Sequence, residues 1–253
     1  MKETILSAKD LCKSFANNGD QNHVLSNVNI EIYEKDFTVV MGASGSGKST
    51  LLYCLSGMDS ITAGKVLYQG NCISEYKEKQ LAYLRRGEFG FVFQQMHLVS
   101  NLTIFENIAV PGYLNKSKKT AQVNERTDFL LELMCLKEVA KHLPSQVSGG
   151  EQQRAAIARA IISEPKLLFA DEPTGALNRK NSNIVLDLLT QLNQDGQSIL
   201  MVTHDIHAAI RADRVLYLED GKIIGELKLR PFAAEEVKSR EAQINAWLTS
   251  MSW

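Results

Sequence analysis

At 253 residues the chain is long enough to bury a full hydrophobic core, either as one domain carrying an insertion or as two small domains. Its 28 Lys and Arg against 29 Asp and Glu leave a formal net charge of -1, which excludes the strongly basic field that draws a protein to nucleic acid. No apolar run approaches the roughly 18 residues that suggest a bilayer span, and apart from Lys2 the N-terminal METILSAKDLCKSF has no basic segment leading into an apolar stretch. Cys12, Cys54, Cys72 and Cys135 have neither metal nor redox spacing, so they are expected as reduced thiols in a cytosolic protein.

In chain order, Val28, Ile30 and Ile32 alternate with Asn29, Glu31 and Tyr33, the period-two pattern of a half-buried strand, and the N-terminal third is expected to be β-rich. FTVVMGASGSGKST (37 to 50) then runs from an apolar strand into Gly42-x-x-x-x-Gly47-Lys48-Ser49, followed by a helical run. This is the phosphate-loop spacing in the context its mechanism needs. Glycines let backbone N–H groups turn inward around a polyphosphate, the helix start adds positive potential, Lys48 reaches the terminal phosphates, and Ser49 can ligate magnesium. Gly42, Ala43, Ser44, Gly45, Ser46, Gly47, Lys48, Ser49 and Thr50 are therefore the expected nucleotide-binding residues. Kinases, GTPases, helicases and transport motors all use such a loop, so it does not by itself name the function.

FGFVFQ places Gln94 at the end of the next apolar strand, and residues 95–162 are expected to form a mainly helical insertion. Val123, Leu130, Leu131, Met134 and Leu136 form its imperfect apolar stripe, and KSKK (116 to 119) is expected as a solvated loop. VSGGEQQR (147 to 154) has Ser148 and Glu151 at capping-box spacing, which a plain well-capped helix would explain. A cap does not need Gly149 and Gly150, whereas a close approach of backbone to phosphate at a helix start does.

KLLFADE (166 to 172) ends a strand on two carboxylates, with Asp171 suited to magnesium through water and Glu172 to polarising an attacking water. SILMVTH likewise ends on His204. In a parallel sheet these strand ends share the ligand-binding edge, which points to catalytic rather than merely structural roles. His204 and His207 also have a spacing open to zinc, with no third ligand in evidence. Asp220-Gly221 suits a two-residue hairpin turn, and Ile244, Trp247, Leu248 and Met251 mark a C-terminal helix expected to pack on the body of the chain.

Taken together and in this order, GASGSGKST, FQ, VSGGEQQR, LLFADE and TH resemble an ATP-binding cassette (ABC) ATPase over roughly residues 4–226. The resemblance implies an α/β P-loop NTPase fold with an N-terminal antiparallel β subdomain and an inserted α-helical subdomain. The expected layout is an ATPase domain over 1–230, with core 1–94 and 163–230 around the insertion 95–162, and a helical tail over 231–253. It further implies ATP and Mg²⁺ as cofactors, Ser49, Gln94 and Asp171 around the metal, and Glu172, His204 and Gln94 as catalytic residues. Phe15 in KSF matches the aromatic that stacks on adenine, although a plain core aromatic would look the same in sequence.

The same resemblance implies a homodimer in which one chain's phosphate loop and the other's Ser148, Gly149, Gly150 and Glu151 enclose ATP. The expected partner is an integral-membrane permease, with the ATPase held at the cytoplasmic face of the cell membrane. ANNGDQNHVL, expected as a stretched loop, RRGEFGFVFQQMHLVSNLTIFENI and DEPTGALN resemble the subgroup serving macrolide export, lipoprotein release and bacitracin or lantibiotic resistance. A cell-division regulator that transmits force without moving cargo is an alternative. So is a soluble ABC protein acting on DNA or ribosomes, although such proteins usually carry paired cassettes or long coiled-coil arms. The chain departs from the family pattern at Asn178, where Asp is usual at the dimer seam, and at Val147 and Glu151, where Leu and Gln are commonest.

Overall fold

The computed structural model describes residues 2–17, 20–115 and 118–251. In chain order the strands and helices are β1 (Thr4–Asn17), β2 (Asp20–Tyr33), β3 (Phe37–Met41), α1 (Lys48–Leu55), β4 (Ala63–Tyr68), β5 (Asn71–Cys72), α2 (Glu78–Gly87) and β6 (Phe89–Phe93). They continue with α3 (Ile104–Leu114), α4 (Thr120–Leu133), α5 (Gly149–Ile161), β7 (Leu167–Asp171) and α6 (Arg179–Gln194). The last are β8 (Ser198–Val202), α7 (Ile206–Ala209), β9 (Arg214–Glu219), β10 (Lys222–Lys228) and α8 (Val237–Ser250). The chain divides into two units, Met1–Leu81 with Asn193–Trp253, and Ala82–Leu192.

The first unit holds the antiparallel sheet β2-β1-β4-β5. Val28, Ile30 and Ile32 are buried there while Asn29 and Glu31 are exposed, as their alternation predicts. The ANNGDQNHVL segment, expected as a stretched loop, is strand throughout its described residues and forms the paired ends of β1 and β2. Its polar residues show no alternation, so nothing in the sequence marked it as strand. The Gly19 and Asn18 part of that segment lies outside the described residues.

In the same unit β3 runs parallel to β8 on one side and β9 on the other, and β10 closes that edge antiparallel to β9. All five positions of β3 and of β8 are buried, which is what a parallel strand covered on both faces demands of its sequence. The turn between β9 and β10 has Asp220 at φ 45° and Gly221 at φ 72°, the doubly left-handed geometry of the tightest hairpins. The predicted C-terminal helix forms as α8, with Ile244 and Leu248 buried. Arg240 anchors it to the carbonyls of Ile210 and Arg230 at 2.7 Å and to that of Ala212, and Trp247 meets Tyr217 edge-on at 6.4 Å. A Cβ on Gly225 would stand 3.0 Å from Trp247, so the bare backbone of β10 makes room for this helix.

The second unit carries β6 and β7, parallel and in register from Phe89↔Leu167 to Phe93↔Asp171, with Phe91 stacked on Phe169. Around them lie α3, α4 and α5. Val123, Leu130, Leu131, Met134 and Leu136 are all buried, so the apolar stripe is the core face of α4 and the turn after it. Within KSKK, Lys116 and Ser117 lie outside the described residues. Lys118 is ion-paired with Glu164 rather than simply solvated.

Candidate functional site

The predicted residues divide between the two units. In the first, β3 feeds the phosphate loop and its neighbour β8 feeds His204, with Val40 opposite Val202, so both segments leave the same edge of one parallel pair. Gly42 follows β3 where a Cβ would stand 2.2 Å from the carbonyl oxygen of Leu218, a clash that admits only glycine. Gly47, at φ 102°, turns the chain into α1, whose start has no side-chain cap.

Lys48 is only 7% exposed and donates from Nζ to the carbonyls of Gly42 and Ala43, both at 2.8 Å, which folds its ammonium back over the loop. Ser46 Oγ is buried without a hydrogen-bond partner. A buried hydroxyl left unpaired costs on the order of 1–3 kcal/mol, so the loop is built for an additional acceptor or donor. A polyphosphate supplies one, and this donor set fits the nucleotide.

The loop is also braced in a way the sequence did not announce. Gly221 of the β9–β10 turn donates its N–H to Ser46 O at 3.2 Å and accepts from Ser26 N at 3.0 Å. A Cβ on Gly221 would stand 2.3 Å from the carbonyl oxygen of Val24. The Asp-Gly turn therefore locks the phosphate loop against β2 as well as reversing the chain. Phe15 is not a core aromatic: it is 44% exposed, on the β1–β2 hairpin. His204 is exposed just beyond β8, and Asp205 caps α7 by accepting from His207 N at 2.9 Å.

In the second unit the register of β6 with β7 places Gln94 beside Glu172, one residue past Phe93 and Asp171. Asp171 is 8% exposed. Glu172 has φ 47°, a left-handed conformation that non-glycine residues seldom adopt and that costs on the order of 1–3 kcal/mol. The Gln94 side chain lies so close to Gly175 that a Cβ there would stand 2.8 Å from Nε2. The hydroxyl of Ser49, in the first unit, and the carboxylate of Asp171, in the second, are hard oxygen donors of the kind Mg²⁺ prefers.

VSGGEQQR forms the start of α5. Ser148 Oγ accepts from Glu151 N at 3.3 Å, and the Glu151 carboxylate accepts from Ser148 N at 2.8 Å and Ser148 Oγ at 2.7 Å. Those hydrogen bonds hold the Glu151 carboxyl below its ordinary pKa, the Ser148 side chain contributing most. The polar run then anchors to backbone, residue by residue. Gln152 donates to the carbonyls of Pro144 and Val147, Gln153 to that of Phe93 at 3.2 Å, and Arg154 to that of Met134 at 2.9 Å. One turn further on, Arg159 holds the carbonyls of Met96 and His97 at 2.7 and 2.6 Å. The helix that begins with the paired glycines thus grips the chain on both sides of Gln94.

Asn178 starts α6. Its Oδ1 accepts from Asn181 N at 3.0 Å and its carbonyl from Ser182 N at 2.9 Å. Asparagine and aspartate cap helices about equally well, so the departure from the usual Asp keeps the local structure and removes only a charge.

Comparison with known proteins identifies the family. The family model for the ABC transporter matches residues 25–175. A dimeric post-hydrolysis structure of the ATP-binding cassette MJ0796 bound to ADP and Pi is 37% identical, with a TM-score of 0.83, covering 90% of this chain and 100% of that one. A dimeric structure of MJ0796 described as a bacterial ABC transporter cassette is 38% identical at the same TM-score and coverage. CbiO1 from Clostridium perfringens, described as part of the ABC transporter complex cbiONQ, is 27% identical with a TM-score of 0.79, covering 90% and 89%. A family match over more than half the chain, joined to end-to-end likeness with solved cassettes, means that this protein belongs to the ABC transporter family and is one of its P-loop ATPases.

Proposed function

We propose that the chain is the energy-coupling subunit of a membrane transporter, acting as a homodimer at the cytoplasmic face of the membrane and held there by a separate permease. The observation that carries this reading is the start of α5. Ser148 and Gly149 are exposed at the head of a 13-residue helix whose capping is already completed by Glu151, so they present a positive helix end to a ligand outside the cap. A second copy's ATP is the ligand we assign to it. MJ0796 is a dimer in its solved structures, and CbiO1 is part of a transporter complex, which supports both partners. No helix among the described residues is long and apolar enough to cross a membrane, so attachment through a permease suits the chain.

In the proposed site Lys48 and the amides of Gly42 to Thr50 hold the phosphates, and Phe15 stacks on adenine. Ser49, Gln94 and Asp171 are the residues we assign to Mg²⁺, which when bound would neutralise phosphate charge. Glu172 and His204 are assigned to position water for attack on the γ-phosphate, and Gln94 to relay nucleotide state to the helical part of the second unit. Ser148, Gly149, Gly150 and Glu151 act on the partner's ATP, and Asn178 lies at the seam. In this reading the domains run over 1–230 with the helical insertion at 95–162 and a tail from 231. The TGAL stretch favours export of, or resistance to, antimicrobial peptides as the transporter's task.

Affinity purification of the tagged chain from membranes in mild detergent tests this. The expected co-purifying protein is a polytopic permease. A membrane protein that supports ATPase activity but moves no cargo would replace transport with force transmission, and absence of any membrane partner would overturn the proposal. The seam assignment has its own test. Asn178→Asp is expected to keep folding stability and to change ATP affinity by no more than about threefold, while altering turnover, since one hydrogen-bonded contact is worth on the order of 1 kcal/mol. Collapse of affinity with turnover per bound ATP intact would contradict it.

A further inference from the structure

Lysine is almost never buried unless its ammonium is fully engaged, and Lys13, on β1, is only 6% exposed. Its Nζ donates to Asp59 Oδ1 and to the carbonyl of Ser60, both at 2.7 Å, and stands 4.7 Å from the centroid of the Phe15 ring. The strand is shaped for this meeting. The β1–β2 register slips between Lys13, opposite Leu25, and Ser14, opposite His23, a bulge of the kind that re-aims a side chain. Ser14 is tied on both sides, its N–H donating to Thr62 Oγ1 at 2.9 Å and its hydroxyl lying 2.8 Å from His23 Nδ1.

The result is a fixed cation against one face of an aromatic ring that remains 44% exposed. We infer that Lys13 is a positioning residue for the nucleobase: pinned by Asp59 and Ser60, it holds one face of Phe15 and leaves the opposite face preset for adenine. The inference rests on the stacking role proposed for Phe15. An exposed aromatic otherwise surrenders side-chain freedom when a base stacks on it, and a ring already held surrenders less. Because the ammonium is neutralised by Asp59, its contribution belongs to the base and not to the phosphates.

Titration of the full chain with ADP and with inorganic pyrophosphate, both with magnesium, separates these contributions. Lys13→Met is expected to weaken ADP by about three- to tenfold, the scale of a cation–π contact, and to leave pyrophosphate unchanged; Lys13→Arg, which keeps both the charge and the ability to lie on the ring, restores ADP binding. Equal losses for the two ligands would assign Lys13 to folding or to phosphate charge and overturn the inference, as would no loss at all. Phe15→Ala distinguishes the two levels. A selective ADP loss there without one in Lys13→Met removes the inference alone, and no selective loss in Phe15→Ala removes the stacking role and the inference with it.

Discussion

Replacing Glu172 with glutamine is expected to slow ATP hydrolysis by about 10²- to 10⁴-fold, the usual contribution of a positioned general base, while ATP affinity survives. Glutamine keeps the shape and hydrogen-bonding reach of the side chain and removes only the carboxylate. The backbone points the same way: Glu172 stands at φ 47°, just past a fully buried strand, where an uncommon conformation is retained against its cost. Its neighbour in register, Gln94, is held from both sides by Gln153 and Arg159, so the groups beside it should stay in place in the variant. Phosphate release under saturating ATP and magnesium is the measurement. Hydrolysis near the wild-type rate would remove Glu172 as the catalytic carboxylate. Asp171→Asn should differ in kind, since weakening the proposed magnesium site impairs binding of the metal-nucleotide complex itself.

Lys48→Ala is expected to lower ATP affinity by about a hundredfold or more. A hydrogen bond to a charged group contributes on the order of 1.5–3 kcal/mol, and an ammonium has three N–H donors to offer a polyphosphate. At 7% exposure, Lys48 holds the carbonyls of Gly42 and Ala43 and so also shapes the loop before any ligand arrives. Lys48→Met keeps most of the buried volume and separates the loss of charge from the loss of packing. Titration with a fluorescent ATP analogue gives both affinities, and unchanged binding in the two variants would contradict the phosphate-loop assignment.

The elements most legible in the sequence were those whose signal is local. Alternation at Val28, Ile30 and Ile32 fixes a strand face, LLFA and ILMV have the length and apolar character that suit buried strands, and Asp220-Gly221 meets the backbone demands of its turn unaided. The capping box of Ser148 and Glu151 was visible for the same reason. What escaped were contacts whose partner is backbone far along the chain. Nothing in EQQR names the carbonyls of Pro144, Val147, Phe93 and Met134 that its side chains find, because every residue offers the same acceptor. The brace from Gly221 N to Ser46 O is invisible on the same ground. Asn178 was marked as a departure from a family pattern, whereas its capping of α6 depends on where the helix starts.

The central claim is that two copies of the chain enclose ATP, each supplying a phosphate loop to one nucleotide and the start of α5 to the other. Light scattering coupled to gel filtration of isolated Glu172→Gln chains, with and without ATP and magnesium, tests it most directly. Because each trapped nucleotide would touch both chains, binding is linked to association. The expected result is a monomer without nucleotide and a dimer with ATP that the wild type does not sustain once it has hydrolysed its ligand. A variant that binds ATP with undiminished affinity, has lost hydrolysis and stays monomeric at every nucleotide concentration would contradict the claim.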